Sequence, residues 1–255
     1  MSQSPGPFSL EGCNALVTGA SRGIGAAIAT ALAAAGADVA CHGNSRPPDE
    51  TCDRVRQVGR RSVGLRGDMH DPATPAALVD AAVRDLGSVD LLVNNAGTIK
   101  RAPAADTTDD DWDQVVNVNL SGVFRMCRAA GRHMLARGRG KIVNVASLLS
   151  FQGGLTVPAY AASKGGVAQL TKALANEWAA KGINVNGIAP GYIRTDNTSQ
   201  LQQDATRSRQ ILERIPAGRW GEPEDLGGAA VFLCSRASDF VHGHILVVDG
   251  GWLGR

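Results

Sequence analysis

Along the chain, short apolar runs alternate with longer stretches whose apolar residues recur at helical spacing. Asn14–Val17, Asp38–Cys41, Ser62–Leu65, Val89–Val93, Lys141–Val145, Ile183–Ile188 and Ile245–Val248 read as strands. Between them, Gly23–Ala35, Thr51–Gly59, Pro75–Leu86, Asp109–Arg137, Ala159–Lys181 and Pro223–Cys234 read as helices. In the long 109–137 stretch, Val116, Leu120, Val123, Phe124 and Cys127 share a face. Asn119 interrupts that stretch. Asn is a poor helix former, so a kink or a bound water is expected there.

The runs LLVN, IVNV and ILVV are apolar on both faces. Strands read this way when helices cover both sides of a parallel sheet. The pattern predicts an α/β fold, a doubly wound parallel sheet of the Rossmann type, as a single domain over residues 10–255 with helices on both faces. Residues 1–9 read as a loose, flexible tail. Residues 191–222 are weakly patterned and predict a mobile lid.

Composition narrows the function. The chain has 255 residues, enough for one large core. The net charge is +2, the basic residues are dispersed, and aromatic content is 4%. No stacking platform or basic stripe for nucleic acid is visible. The five cysteines are odd in number, form no CxxC, and lack histidines at metal-ligand spacing, so no metal is expected. The stretch Ala26–Ala40 is too short and polar to span a membrane. No secretory leader is visible in MSQSPGPFS. These features predict a cytoplasmic protein in a reducing compartment, with a small molecule as partner and neither nucleic acid nor membrane.

Thr18-Gly19-Ala20-Ser21-Arg22-Gly23-Ile24-Gly25 follows the first strand and opens the first helix. Glycines there allow close approach of backbone to a ligand, and the helix start offers amides to a pyrophosphate. The same residues match the G-x-S-x-G elbow of serine hydrolases. That rival lacks an upstream loop for an oxyanion donor, and His242 and His244 have no evident partner.

Tyr160 and Lys164 share a helix face. An ammonium beside a phenol favours phenolate and brings proton transfer toward neutral pH. Ser147 ends the fifth strand, where its hydroxyl can meet a substrate oxygen, and Asn94-Asn95-Ala96-Gly97 ends the fourth. Both lie at the carboxyl edge, where open α/β sheets bind ligands. The Asp109-Asp110-Asp111 and Asp113 cluster reads as helix capping rather than a metal site.

Taken in order, TGASRGIG at 18–25, NNAG at 94–97, Asn119 within NVNL, Ser147 within NVAS, YAASK at 160–164, and PG at 190–191 followed by Thr195 resemble the short-chain dehydrogenase/reductase family over nearly the whole length. The resemblance implies an NAD(P)-dependent oxidoreductase. It implies that Tyr160 is the general acid or base, that Lys164 tunes it and holds the nicotinamide ribose, that Ser147 orients the reacting C–O group, and that Asn119 fixes a relay water. It implies cofactor contacts from Gly19, Ser21, Arg22, Gly23, Ile24 and Gly25. Further contacts come from Asn44, Arg46, Asp68, Asn95, Ala96 and Gly97, and around the nicotinamide from Pro190, Gly191, Ile193 and Thr195, with Ile188 beside them. Homotetramers are common in the family, and Trp252 suits a subunit contact.

The cofactor is NAD or NADP. Gly43 stands where NAD-specific relatives usually carry Asp, and Arg46 is free to reach a 2′-phosphate. The segments SFQGG, VPAY, NEWA, APGY and RIPAGRWG resemble the branch of the family that acts on deoxy- and ketogluconates. A hexonate needs a carboxylate partner, and Lys100, Arg101, Arg194 and Arg219 are candidates. Gln152 is a candidate for sugar hydroxyls. Trp220 either packs over the sugar or anchors the lid. A 3-oxoacyl thioester reductase, another alcohol dehydrogenase and a non-catalytic dinucleotide sensor are the alternatives.

Overall fold

The computed structural model describes residues 6–255, so the first five residues of the expected tail lie outside the described residues. Its strands are β1 (Asn14–Val17), β2 (Asp38–Gly43), β3 (Ser62–Arg66), β4 (Leu91–Asn94), β5 (Gly140–Val145), β6 (Ile183–Pro190) and β7 (Ile245–Val248). They form one sheet in the order β3-β2-β1-β4-β5-β6-β7. Every neighbouring pair is parallel.

The helices are α1 (Gly23–Ala34), α2 (Asp49–Gln57), α3 (Thr74–Leu86), α4 (Asp109–Val116), α5 (Gly122–Arg137), α6 (Pro158–Trp178), α7 (Ser199–Gln203), α8 (Ala205–Arg214) and α9 (Gly227–Cys234). Successive strand residues face opposite ways. Leu16, Leu92 and Ile142 pack with residues of α3, α5 and α6. Their neighbours Val17, Val93 and Val143 pack with residues of α1, α2 and α9. The both-faces-apolar strands are therefore explained by helices on both faces, and the doubly wound Rossmann-type fold is the one observed.

Three local differences have physical causes. The stretch 109–137 is not uniformly α-helical: Asn117–Ser121 forms a π-helical turn between α4 and α5. Asn119 is the buried residue of that turn. Residues 191–222 are partly helical, but α8 buries only Ile211, too little to leave an apolar stripe in the sequence. Residues 6–9 are docked rather than loose: Ala237 donates to the Pro7 carbonyl at 3.1 Å, and the Phe8 ring lies 6.5 Å from that of Phe232 on α9.

Strand order reverses between β1 and β4. A cleft opens at the carboxyl ends there, as it does in open α/β sheets generally. No helix among the described residues is long and apolar enough to cross a membrane.

Candidate active site

The turn between β1 and α1 lies against the turn after β4. Gly19 has a φ of +64°, and a Cβ on it would come 2.8 Å from the Ala96 Cα. Glycine alone fits both demands. Thr18 Oγ1 accepts from the amides of Asn95 and Ala96, both at 3.0 Å. Asn95 Nδ2 donates to the carbonyls of Thr18 and Gly19 at 3.1 and 2.9 Å. A Cβ on Gly25 would collide with the Gly19 carbonyl, so that glycine serves packing behind the turn.

Gly19, Ser21, Arg22, Gly23 and Ile24 line a cleft of about 1380 Å³. Asn95, Ala96 and Gly97 face them from β4. Thr195 and Arg194 close the cleft from the far side. Arg22 reaches Asp196 at 2.7 Å, linking the first turn to the segment after β6.

Asn44, Arg46 and Asp68 form the far end of the same cleft. Arg66 donates to the carbonyls of Asn44 and Ser45 at 3.2 and 3.4 Å and holds the loop after β2 folded back. A Cβ on Gly43 would collide with the Arg46 carbonyl oxygen. A carboxylate at this position therefore has no room unless the loop moves. Arg46 pairs with Glu50 at 3.0 Å, so its guanidinium is not free as the sequence alone implies. Asp68 Oδ1 accepts from the His70 amide at 2.9 Å.

Asn119, Ser147, Tyr160 and Lys164 gather beyond the Gly97–Thr98 end of the cleft. The π turn points Asn119 inward, where it accepts from the Thr98 amide at 2.8 Å and donates to the Thr98 carbonyl at 2.9 Å. Asn119 also donates to Ser163 Oγ at 3.2 Å, and Ser163 donates to the Tyr160 carbonyl at 2.8 Å. Ser147 Oγ caps its own turn by accepting from the Leu149 amide at 3.2 Å, and its hydroxyl lies beside the Tyr160 phenol.

Burial raises the Tyr160 phenol above its ordinary pKa, while the Ser147 hydrogen bond and the Arg101 charge pull the other way. The Lys164 ammonium lies 5.7 Å from the Tyr160 ring centroid and donates to the Val145 carbonyl at 2.6 Å. Burial lowers its pKa to about 8. The expected lowering of the tyrosine by lysine is therefore not the dominant effect in this structure: enclosure outweighs it.

The expected cofactor residues after β6 divide. A Cβ on Gly191 would come 2.6 Å from the Asp249 Cα. Pro190 ends β6 opposite Val248. Ile188 and Ile193 are buried in the core, away from the cleft lining.

Among the substrate candidates, Arg101 donates to the Asn197 carbonyl at 3.2 Å, and its charge acts on both Tyr160 and Tyr192. Arg207 and Arg214 also act on Tyr192. Arg194 lies in the dinucleotide-sized cleft, paired with Glu222 at 3.0 Å. Lys100 pairs with Asp111 at 3.2 Å and Arg219 with Asp225 at 2.7 Å. Gln152 Oε1 accepts from Trp252 Nε1 at 3.3 Å.

Trp220 is 3% exposed, so it cannot lie over a sugar. It anchors the 191–222 segment in a cluster with Leu148 and Trp252, and stands edge-on to Tyr192 with ring centroids 5.6 Å apart. Trp252 is likewise buried, 4.7 Å from Tyr192 and with the Arg214 guanidinium 4.0 Å above it. Thr18, Ser163 and Tyr192 lie inside TGASRGIG, YAASK and APGY, but the spacing alone gives none of them a role. The one visible signal was the residue-by-residue neighbourhood of Asn95, Tyr160 and Gly191.

The elbow reading finds no base. His242 Nε2 lies 3.3 Å from Asn184 Nδ2, and the His244 backbone is tied to Asn186, both on β6. Among the described residues, no group of three or more His, Cys, Asp or Glu is placed to hold a metal ion.

The profile of a family described as enoyl-(acyl carrier protein) reductase matches residues 19–253. A 2-dehydro-3-deoxy-D-gluconate 5-dehydrogenase of Bacillus subtilis (strain 168) is 56% identical, over 97% of each chain. An Agrobacterium tumefaciens structure with bound NADP, provisionally named a 2-deoxy-D-gluconate 3-dehydrogenase, is 57% identical with a TM-score of 0.92, over 98% of this chain and all (100%) of that one. A gluconate 5-dehydrogenase from Burkholderia cenocepacia J2315, solved with NADP and tartrate, is 43% identical with a TM-score of 0.92, over 98% of each chain. With this fold, this cleft and these likenesses along its full length, the chain belongs to the short-chain dehydrogenase/reductase family.

Proposed function

We propose that the chain is an NADP-dependent oxidoreductase that interconverts a secondary alcohol and a ketone on a sugar acid, a deoxy- or ketogluconate. The observation that carries this reading is the gathering of Asn119, Tyr160 and Lys164 beyond the cleft: Asn119 bonds Thr98 and Ser163, Ser163 bonds the Tyr160 carbonyl, and the Lys164 ammonium lies 5.7 Å from the Tyr160 ring centroid.

The cleft fits a dinucleotide. The bare Gly19 and Gly23 turn leaves amides at the α1 start for a pyrophosphate. The absence of room for a carboxylate at Gly43 leaves Asn44, Ser45 and Arg46 around a ribose 2′-phosphate. Asp68 would border the adenine, and Gly97 and Thr195 the nicotinamide end. When bound, the nicotinamide supplies or takes the hydride.

The chain's own residues handle the proton and the orientation. Tyr160 Oη gives its proton to the substrate carbonyl oxygen in reduction and takes it back in oxidation. Ser147 Oγ holds the same oxygen by a hydrogen bond. Lys164 keeps a positive charge beside the phenol and stabilises the phenolate left after proton transfer. Asn119, tied to Thr98 and Ser163, holds the π turn open for a relay water. Arg101 meets the substrate carboxylate, and Gln152 meets its hydroxyls. The segment 191–222, anchored by Trp220, serves as lid.

The named activities of the relatives, their shared length and the bound NADP in two of them support this reading. Family resemblance supports a homotetramer in the cytoplasm, and exposed Trp112 and Phe124 supply apolar surface for subunit contact. The family profile's description favours a thioester reductase as the second reading. Tyr160→Phe tests the assignment: turnover is abolished while NADP binding, read by calorimetry, is kept. A fully active variant contradicts the role of Tyr160.

A further inference from the structure

Among the described residues, His42 is the one titratable side chain buried between the two turns that line this end of the cleft. Its ring is 1% exposed at the end of β2. Nδ1 accepts from the Gly19 amide at 3.3 Å. Nε2 therefore carries the ring proton and donates to the Gly67 carbonyl at 3.0 Å. Gly19 belongs to the phosphate turn, and Gly67 precedes Asp68 at the adenine side. The His42 carbonyl also accepts from the Ala20 amide at 2.7 Å.

We propose that His42 is a positioning residue for the nucleotide, one that clamps the phosphate turn to the adenine loop and permits tight binding only while its ring is unprotonated. This rests on the dinucleotide reading of the cleft.

The geometry forbids the cation. Once protonated, both ring nitrogens are donors, and Nδ1–H would face the Gly19 N–H. The turn is held on its other side, where Asn95 Nδ2 donates to the Thr18 and Gly19 carbonyls at 3.1 and 2.9 Å. Of the charged groups nearby, only the Asp68 carboxylate acts on the ring, and it favours the proton. Burial outweighs it, so the ring titrates below its ordinary 6.5. Arg22 is engaged with Asp196, Arg46 with Glu50, and Arg66 with the Asn44 and Ser45 carbonyls. His70, on the same loop as Asp68, faces Asn117. The phosphate turn itself, Thr18 to Ser21, carries no titratable side chain.

The probe is the 2′-phosphate of ADP, which lacks both the nicotinamide and its ribose and so does not reach Tyr160 or Lys164. Its affinity is measured by calorimetry from pH 5 to pH 8 on wild type, His42→Asn and His42→Leu. The asparagine Oδ1 takes the place of Nδ1 and accepts from Gly19 but cannot titrate. The probe's own phosphate ionises near about 6 in every case, so it cancels between proteins.

Wild type is expected to lose affinity relative to His42→Asn by about tenfold per pH unit below the ring's pKa. His42→Leu is expected to bind at least about tenfold more weakly than wild type at pH 8, from the unpaired Gly19 amide. Circular dichroism establishes that each variant is folded. If His42→Leu does not fold, the wild-type and His42→Asn profiles decide. Parallel profiles for those two proteins overturn the clamp alone. Failure of wild type to bind at pH 8 overturns the dinucleotide reading and the clamp with it.

Discussion

The Lys164 ammonium sits 2.6 Å from the Val145 carbonyl oxygen, its one hydrogen-bond acceptor among the described residues, inside the wall formed by α6 and β5. Burial brings its pKa down to about 8. The unfolded lysine protonates near its ordinary 10.5, so the folded chain is penalised once it must hold the buried ammonium, and its stability changes with pH only between the two values. That penalty is absent well above pH 10.5, grows as pH falls, and is complete below about pH 8, at on the order of 3 kcal/mol. Lys164→Met should therefore abolish turnover yet narrow or reverse any stability loss at pH 7. Melting curves without nucleotide check this: the advantage of the variant over wild type should shrink between pH 8 and pH 10.5. An advantage independent of pH contradicts it.

Gly43→Asp places a carboxylate where the Arg46 carbonyl lies. The loop after β2 must open, which breaks the Arg66 hydrogen bonds to Asn44 and Ser45. Overpacking of this kind costs about 1–3 kcal/mol. The new charge also repels a 2′-phosphate. NADP affinity should fall by about tenfold or more, with NAD affected less, and titration of both nucleotides reads the ratio.

Much of this was legible in the sequence because its signals are local. Strands buried on both faces announce the sheet. The glycines of 19–25 announce a turn that needs bare backbone. Tyr160 and Lys164 announce a shared helix face. What the sequence hid depends on distant partners. Arg22 and Arg194 look free along the chain and are paired across it with Asp196 and Glu222. Trp220 and Trp252 look like surface or ligand residues and instead enclose Tyr192. His42 sits in an ordinary-looking strand, and only the packing of two glycine turns on either side reveals what its nitrogens do.

Asn119→Ala removes the acceptor for the Thr98 amide and the donor to its carbonyl in one step. Leaving buried backbone groups unpaired costs about 1–3 kcal/mol. The variant should melt at lower temperature and lose turnover. Asn119→Asp, which keeps the acceptor and loses the donor, should fall between it and wild type in a side-by-side melt.

Arg101→Met should raise KM for a hexonate by about tenfold or more, since a charge-assisted contact is lost. A neutral polyol has no carboxylate to lose, so its KM should change little. Steady-state kinetics on the two substrate classes separates these outcomes, and an equal rise for both would remove Arg101 from substrate recognition.

The central claim is tested most directly by following the absorbance of reduced nicotinamide with purified protein, NADP or NAD, and a panel of deoxy- and ketogluconates, polyols and an acetoacetyl thioester. Turnover of a hexonate with NADP preferred is the predicted result. Turnover of the thioester alone would contradict the sugar-acid reading and move the chain to acyl reduction.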